Sequence, residues 1–316
     1  MNTPAVILSS ALLLATSALA EDWPRRAVTF VIPSAPGSSS DVVARALAER
    51  LSARWKQPVV IDNKSGAGAT IATNAVAKAR DGHTMGWVIA SHATNPTLRA
   101  NLPYDTVKDL SGVALVYQLR PVIVASPGYE ASTIDELVAL ARRRPGQFYA
   151  SAGIGTGPHL LGELFKQKYR LDLQHVPHKS GAAAQLDVFS GRIPIMFDTL
   201  PNALPLARQG RMKILAVIGD EPVPGHPDLP LLRDLLPSDA IVGWNGIVVP
   251  SATPREVVRK LNADIAEAMR SDSVQALFAS LGVRPLGATP EEFDAFIRED
   301  IARWAEVIRR AGIKLD

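Results

Sequence analysis

The chain contains no cysteine among its 316 residues. That absence excludes disulfide bonds and metal sites built from thiolates. It also excludes a lipid-modified N-terminal cysteine, so an exported form of the protein would diffuse freely rather than stay attached to a membrane.

Hydrophobic runs long enough to span a bilayer are also missing. The first 20 residues come nearest, because Val6 to Ala20 is apolar and ends in Ala18-Leu19-Ala20, the small-x-small pattern of a signal-peptidase site. No lysine or arginine precedes this segment, which departs from the usual signal peptide. We expect residues 1–20 to be a signal peptide that is cleaved after Ala20, which would place a mature protein beginning at Glu21 in the periplasm.

Neither sign of charge dominates. Lys and Arg number 34 and Asp and Glu 31, for a formal net charge of +3. The basic residues are scattered, and the one tight run, Arg142-Arg143-Arg144, falls at a predicted helix C-terminus, where cations complement the helix dipole. The pattern therefore predicts no nucleic-acid partner.

The remaining chain of about 300 residues is long enough for two domains of ordinary size. Apolar runs typical of buried strands alternate with helical patterns, which predicts an α/β fold of mainly parallel sheets flanked by helices. We expect a polar loop over 91–96 and a final helix over 290–311. The aromatic and aliphatic residues of that helix recur at helical spacing and are expected to be core, namely Phe293, Phe296, Ile297, Ile301, Trp304 and Ile308.

The stretch from Pro33 to Asp41 joins an apolar strand, 27–32, to an amphipathic helix. Gly37 permits a tight backbone, and Ser38-x-x-Asp41 has the spacing of a capping box. Open amide donors at a helix N-terminus, together with the helix dipole, form an anion site. An ordinary capped turn is the alternative interpretation.

A second glycine-rich loop, from Ser151 to Pro158, leads from a predicted strand into the helix that carries His159. Ligands of parallel sheets bind outside the carboxyl ends of the strands. Because the two loops are far apart in the chain, we expect each to belong to its own domain and to face the other across a cleft.

Several segments, through their order and spacing, carry a family resemblance that spans nearly the whole mature length. They are Trp23-Pro24-Arg25-Arg26, Pro33 to Asp41 with Arg45, Asp62 to Gly68, Asp81-Gly82-His83-Thr84, Leu102-Pro103-Tyr104-Asp105 with Lys108-Asp109, Gly153 to His159, His175 to Gly181, and Gly191-Arg192-Ile193-Pro194. The chain resembles the Bug/TctC family, the substrate-binding receptors of tripartite tricarboxylate transporters.

This resemblance implies a two-domain periplasmic-binding-protein type II fold with the ligand cleft between the domains. Domain 1 would comprise 21–122 and 243–316, and domain 2 would comprise 123–242. The ligand would be a small organic carboxylate (a di- or tricarboxylate or an aromatic carboxylate), held largely by backbone amides and ordered water rather than by an arginine clamp. The expected partners are the membrane subunits of the transporter, and the receptor would be a monomer with no cofactor, no metal and no catalytic residues.

The chain departs from the family pattern in both loop regions. Ser34 stands where the family usually has an aromatic residue, and Ser38 stands where it usually has a second glycine. The family's Pro-Tyr-Lys-Gly stretch is Pro177-His178-Lys179-Ser180 here. Loss of two aromatic side chains would enlarge the cleft or make it more polar.

The predicted ligand-binding residues all belong to strand-end loops or to the helix turns that follow them. They are Ser34, Ala35, Gly37, Ser38, Ser39, Asp41, Ala67, Gly68, Ser91, His92, Ser151, Gly155, Thr156, Gly157, His159, His178 and Asp198. Several have a structural alternative. Asp41 could only cap its helix, His159 could simply be a first-turn residue, and Asp198 could cap a strand end.

Two other function classes are open. A periplasmic hydrolase would need a nucleophile, but the sequence has no Gly-x-Ser-x-Gly elbow, and His175 and His178 alone make a poor metal site. A receptor that presents its ligand to a membrane sensor would have the same fold and site. Genes for membrane subunits nearby would favour transport, a neighbouring sensor kinase would favour signalling, and ester turnover would favour the enzyme.

Overall fold

We analysed a computed structural model, which describes residues 23–223, 225–235 and 243–313. The predicted signal peptide, 1–20, and the predicted mature N-terminus at Glu21 lie outside the described residues. No helix in the described part of the chain is long and apolar enough to cross a membrane.

The chain alternates strands and helices as predicted. The strands are β1 Val28–Ile32, β2 Val59–Asn63, β3 Thr84–Ile89, β4 Leu110–Gln118, β5 Pro121–Ala125, β6 Gln147–Ser151, β7 Leu173–Pro177, β8 Ile195–Thr199, β9 Lys213–Ile218, β10 Leu231–Leu232, β11 Trp244–Pro250 and β12 Arg284–Pro285. The α-helices are α1 Ser39–Trp55, α2 Thr70–Ala77, α3 Ser91–Leu98, α4 Ile134–Arg143, α5 Gly157–Tyr169, α6 Gly181–Phe189, α7 Leu200–Arg208, α8 Arg255–Met269, α9 Asp272–Leu281 and α10 Pro290–Ala311. A short 3₁₀ turn, Ala67–Ala69, precedes α2.

The first sheet has the strand order β12-β4-β11-β3-β1-β2. Strand β1 pairs in parallel with β2 and β3, in registers that set Val28 opposite Val59 and Thr29 opposite Thr84. Strand β11 runs antiparallel between β3 and β4, and every residue of it is buried. A strand from late in the chain thus completes a sheet that the first strand begins.

The second sheet has the order β10-β9-β5-β8-β6-β7. Strand β6 is parallel to β7 and β8, and β9 is parallel to β10, whereas β5 runs antiparallel between β8 and β9. The predicted α/β fold with two sheets flanked by helices is confirmed, but the first sheet is mixed, with three of its five strand pairs antiparallel. Each sheet also contains at least one antiparallel strand, which the sequence did not predict.

The chain passes from the first sheet to the second between Gln118 and Pro121 and returns after Leu232. The strands of the second sheet therefore come from one continuous stretch, whereas those of the first come from both ends of the described chain. The domain bounds given above, at 122/123 and 242/243, stay a prediction.

The segment after β3 is helical, so the predicted polar loop over 91–96 is wrong. Ser91–Leu98 forms α3 with Pro96 inside it. His92, Thr94 and Asn95 are each only 2% exposed. The polar composition suggested a solvated loop, but these side chains are packed inside the protein, and tertiary burial outweighs their weak helix propensity. Helix α7, Leu200–Arg208, was not among the predicted helices, and it carries two prolines, a residue type that disfavours a helix interior.

Helix α10 packs its apolar face into the core, as its spacing predicts. Phe293, Ile297, Trp304 and Ile308 are buried, and Phe296 and Ile301 are partly buried against the same cluster. A capping box of Thr289 and Glu292 starts the helix. Trp244 Nε1, in β11, donates to Asp300 Oδ2 at 2.7 Å, which fastens the helix to the first sheet.

Candidate functional site

A cavity of about 420 Å³ lies where the carboxyl ends of the two sheets face each other. The first sheet contributes residues that follow β2 and β3, and the second contributes residues that follow β6 and β7. Its lining consists of Gly68, Ser91, Asn95, Leu98, Arg99, Ala152, Gly153, Ile154, Gly155, Thr156, Pro177, His178 and Lys179. We call this cavity the cleft. Its position is the one expected for a ligand site in an α/β protein.

The charged groups that line the cleft are cationic. Arg99 enters from the first sheet and Lys179 from the second, and none of the described lining residues is an aspartate or a glutamate. A cleft with one sign of charge and low-dielectric walls concentrates ions of the opposite sign. The electrostatics therefore favour an anion.

The loop over 151–156 lines the cleft and contains two backbone amides without an acceptor among the described residues. Thr156 is the N-cap of α5, and its Oγ1 donates to the carbonyl of Gly153 at 2.7 Å. Gly153 and Gly155 have φ values of 131° and 75°, which side-chain-bearing residues rarely adopt. The amides of Ala152 and Ile154 have no acceptor among the described residues. Two donors in the loop that leads into α5 are thus free for an anion.

His159 does not line the cleft but holds this loop through a hydrogen bond from the protein interior. It is 5% exposed, and its Nδ1 accepts a hydrogen bond from the amide of Gly155 at 3.0 Å. Its ring stacks on His175 with 3.9 Å between centroids, and His175 Nε2 lies 2.7 Å from Ser151 Oγ. Burial lowers the pKa of His159 to about 4 and that of His175 to about 3, so both rings are neutral at pH 7.

The turn at 66–69 holds three consecutive residues in left-handed geometry. Ala67, Gly68 and Ala69 have φ values of 47°, 62° and 72°, and two of them are not glycine. The carbonyl of Gly68 accepts from Ser91 Oγ at 3.0 Å and from Asn95 Nδ2 at 2.9 Å. Strained backbone of this kind persists only where its surroundings fix it, and here α3 does so.

Arg99 follows α3 directly, and its guanidinium lies against the turn at 66–69. Its Nε donates to Asn95 Oδ1 at 3.3 Å. A Cβ on Gly68 would lie 3.3 Å from one terminal nitrogen of the guanidinium, so the head group sits against the Gly68 backbone. Ser91 and Asn95 are four residues apart on one face of α3, and Arg99 follows as the C-cap in an extended conformation.

The loop over 33–38 is tied to its own domain and does not line the cleft. Ser38 Oγ accepts from the Asp41 amide at 3.3 Å, and Ser38 Oγ donates to Ser34 Oγ at 2.8 Å. Asp41 accepts from the Gly37 amide, Arg45 Nε and Asn63 Nδ2, each at 2.9 Å. Only half of the capping box forms, because the Asp41 carboxylate takes the amide of Gly37 rather than that of Ser38. Burial raises the pKa of Asp41, but the hydrogen bonds outweigh it and the pKa is lowered.

Three other predicted residues have different surroundings, since His92 lies in the first turn of α3, His178 follows β7 and Asp198 lies near the end of β8. His92 is buried against Trp244, and its two ring nitrogens have no partner in the described part of the chain. Burial lowers the pKa of His92 to about 4. His178 Nε2 is 2.9 Å from Asp187 Oδ2. Asp198 accepts from Gln185, Thr199 and Asn202, and burial raises its pKa to about 6.

Of the predicted site residues, the structure brings together Gly68, Ser91, Gly155, Thr156 and His178 around the cleft. The others do not line it, namely Ser34, Ala35, Gly37, Ser38, Ser39, Asp41, Ala67, His92, Ser151, Gly157, His159 and Asp198. Their roles in binding stay predictions. Sequence reasoning missed Asn95, Leu98, Arg99, Ala152, Gly153, Ile154, Pro177 and Lys179. The four-residue spacing of Ser91 and Asn95 was a signal for Asn95, but this spacing has meaning only if the segment is a helix.

A family model, a sequence relative and two solved structures all relate the chain to the same group of proteins. The family model described as "Tripartite tricarboxylate transporter family receptor" matches residues 43–313. The chain is 32% identical to Protein BugT of Bordetella pertussis over 328 residues, which cover 100% of both chains. It is similar to the solved structure of periplasmic binding protein BugD, with 31% identity, a TM-score of 0.81, and coverage of 92% of this chain and 99% of that one. For the structure named "R. palustris Rpa4515 with adipate" the identity is 32%, the TM-score is 0.84, and the coverage is 92% and 99%.

Proposed function

The chain belongs to the tripartite tricarboxylate transporter receptor family, and on that premise we propose that it is a periplasmic receptor that captures a small carboxylate in the cleft. The family consists of substrate-binding receptors, and the prediction that the chain is not an enzyme is thereby confirmed. Release of the ligand to membrane subunits of a tripartite transporter is part of the proposal. So are cleavage after Ala20 and the domain bounds at 122/123 and 242/243.

The single observation that carries the ligand class is the charge of the cleft. Arg99 and Lys179 approach it from opposite sheets, and no described lining residue opposes them with a negative charge. A dissociated carboxylate in this cleft would be attracted by both cations. A cationic ligand would be repelled.

The loop over 151–156 supplies the hydrogen-bond donors. The free amides of Ala152 and Ile154 and the first turn of α5 fit a carboxylate, because charge-assisted hydrogen bonds to an anion are stronger than neutral ones. The amide of Gly155 takes no part, since His159 already accepts its proton. The loop therefore offers fewer free amide donors than the sequence suggests.

A thermal-shift panel tests this proposal. The purified protein is melted with succinate, adipate, citrate, benzoate and phthalate, and with adipamide as the uncharged counterpart of adipate. A ligand at about 100 times its dissociation constant adds roughly 2.7 kcal/mol to the free energy of unfolding. We expect at least one carboxylate to raise the melting temperature and adipamide to leave it unchanged. Failure of every carboxylate, or equal stabilisation by adipamide, would overturn the proposed ligand class.

A further inference from the structure

Arg99 lines the cleft, and the protein uses little of its hydrogen-bonding capacity. A guanidinium carries five N–H donors in a planar fork. Among the described residues its one recorded acceptor is Asn95 Oδ1, which is 3.3 Å from Nε. No described carboxylate lies within ion-pair distance of it. The terminal nitrogens remain available on a half-buried side chain.

Two arginines that do not line the cleft, Arg45 and Arg120, each have a carboxylate partner. Arg45 donates to both Asp41 and Asn63, and Arg120 lies 3.5 Å from Glu221. Arg99 has no such anionic partner in the described chain, yet the turn at 66–69 and Asn95 hold its head group in place. An arginine that is oriented but lacks its counter-ion is suited to bind an anion from outside.

Arg99 and the loop over 151–156 approach the cleft from different sheets. The loop offers neutral amide donors at a helix start, and Arg99 offers a charged fork. The two walls already touch at one point, where Thr94 Oγ1 donates to the carbonyl of Gly155 at 3.4 Å. A ligand with two carboxylates can give one to Arg99 and the other to the loop. Lys179, which is exposed on the second wall, adds positive charge without a fixed geometry.

We propose that Arg99 binds the second carboxylate of the ligand, so that the cleft selects dicarboxylates over monocarboxylates of the same chain length. This inference rests on the proposed function and adds the residue that sets the selectivity. The bidentate match between guanidinium and carboxylate supplies both affinity and orientation.

Arg99 could instead only brace α3 against the turn at 66–69 through Asn95. A bracing residue would affect all ligands alike, because it would change the shape of the whole cleft. A residue that contacts the second carboxylate affects only ligands that carry one. Paired ligands therefore separate the two roles.

The test is calorimetric titration of three ligand pairs, succinate with butyrate, adipate with hexanoate, and phthalate with benzoate. The proteins are wild type, Arg99→Gln, Arg99→Lys and the control Arg259→Gln. Arg259 is exposed on α8, has no recorded partner among the described residues and lies away from the cleft, so its replacement changes the net charge by the same amount. Thermal melts establish that each variant is folded.

For the dicarboxylate that wild type binds most tightly, we expect Arg99→Gln to weaken binding about ten- to hundredfold and to leave the matched monocarboxylate within about twofold. Arg99→Lys should fall between wild type and Arg99→Gln, because it keeps the charge but not the fork. Arg259→Gln should bind as wild type does.

Three results would overturn the inference while leaving the proposed function intact. The first is unchanged dicarboxylate binding by Arg99→Gln, the second is an equal loss for both members of a pair, and the third is wild-type binding of citrate alone or of monocarboxylates alone. If wild type binds none of the six compounds and no citrate, the proposed function fails and the inference fails with it. If Arg99→Gln does not fold, the comparison of Arg99→Lys with wild type decides by the same criterion.

Discussion

The Nδ1 of His159 accepts the backbone N–H of Gly155 at 3.0 Å, across one turn at the start of α5. This bond requires the unprotonated nitrogen, because a protonated imidazole has no acceptor. It fixes the direction of the peptide group between Ile154 and Gly155, next to the amides that remain free. A buried neutral histidine therefore determines which donors the loop presents.

Protonation of His159 should lower the free energy of unfolding of the protein as the pH falls. Burial lowers the pKa of His159 to about 4, against about 6.5 in an unfolded chain. Between these values the unfolded state binds more protons, so the free energy of unfolding decreases as the pH falls. From pH 7 to pH 4, wild type should lose on the order of 3 kcal/mol more than His159→Gln. Urea unfolding at a series of pH values measures the difference, and parallel curves for the two proteins would show that the ring does not stay neutral.

Asp198 should have the opposite effect on the free energy of unfolding as the pH falls. It is buried at the end of β8, and burial raises its pKa to about 6, whereas an unfolded aspartate titrates near 3.9. The folded state binds more protons in that window, so this group stabilises the protein as the pH falls from about 6 to about 4. Relative to Asp198→Asn, wild type should therefore gain stability on acidification. The same urea series tests it, and a relative loss for wild type would contradict the raised pKa.

Gly246 should not tolerate a methyl group. A Cβ there would lie 2.3 Å from Cζ of Phe293 and 2.9 Å from the carbonyl oxygen of Ala114, so both α10 and β4 would have to move. Overpacking of this kind costs about 1–3 kcal/mol. Gly128→Ala is the matched control, because nothing lies within 4 Å of its added Cβ. Chemical denaturation should show a large loss for Gly246→Ala alone, and equal stabilities would mean that α10 is less tightly packed than described.

Thr156 should be needed for the shape of the loop over 151–156. Thr156→Val removes the hydroxyl that donates to Gly153 and caps α5. Loss of an N-cap costs about 1 kcal/mol of stability. Affinity for the best carboxylate of the thermal-shift panel should fall as well, because the loop then holds its free amides less firmly. Thr156→Ser keeps the hydroxyl and should resemble wild type. A full loss in the serine variant would point to the methyl group instead.

Local signals were enough to predict most of the fold. The strand, loop and helix around Gly37, and those around Gly155, follow from apolar runs, turn residues and caps within a few positions. Arg99 shows where such signals stop. Its placement depends on α3, whose polar residues and Pro96 favour a loop until the burial of His92 and Asn95 is known.

The sequence likewise could not show which acceptor each backbone amide of the loop over 151–156 would bind. Gly155 is a good candidate donor by position, and the four-residue spacing to His159 permits their hydrogen bond without requiring it. Which acceptor takes the proton depends on the rotamer and tautomer of a buried ring, and these are set by His175 and Ser151 from other parts of the chain.

The position of β11 bears on the order in which the protein folds. The first sheet is incomplete until residues 244–250 insert between β3 and β4, whereas the second needs only residues 121–232. Pairing of distant segments is slow, because chain entropy is lost before the contacts form. In pulse-labelling hydrogen exchange, β6 and β8 should therefore gain protection before β1 and β3. A chain that enters a compartment unfolded would form the second sheet, with the loop that carries Thr156, first. The first sheet and Arg99 would form later and pack against it.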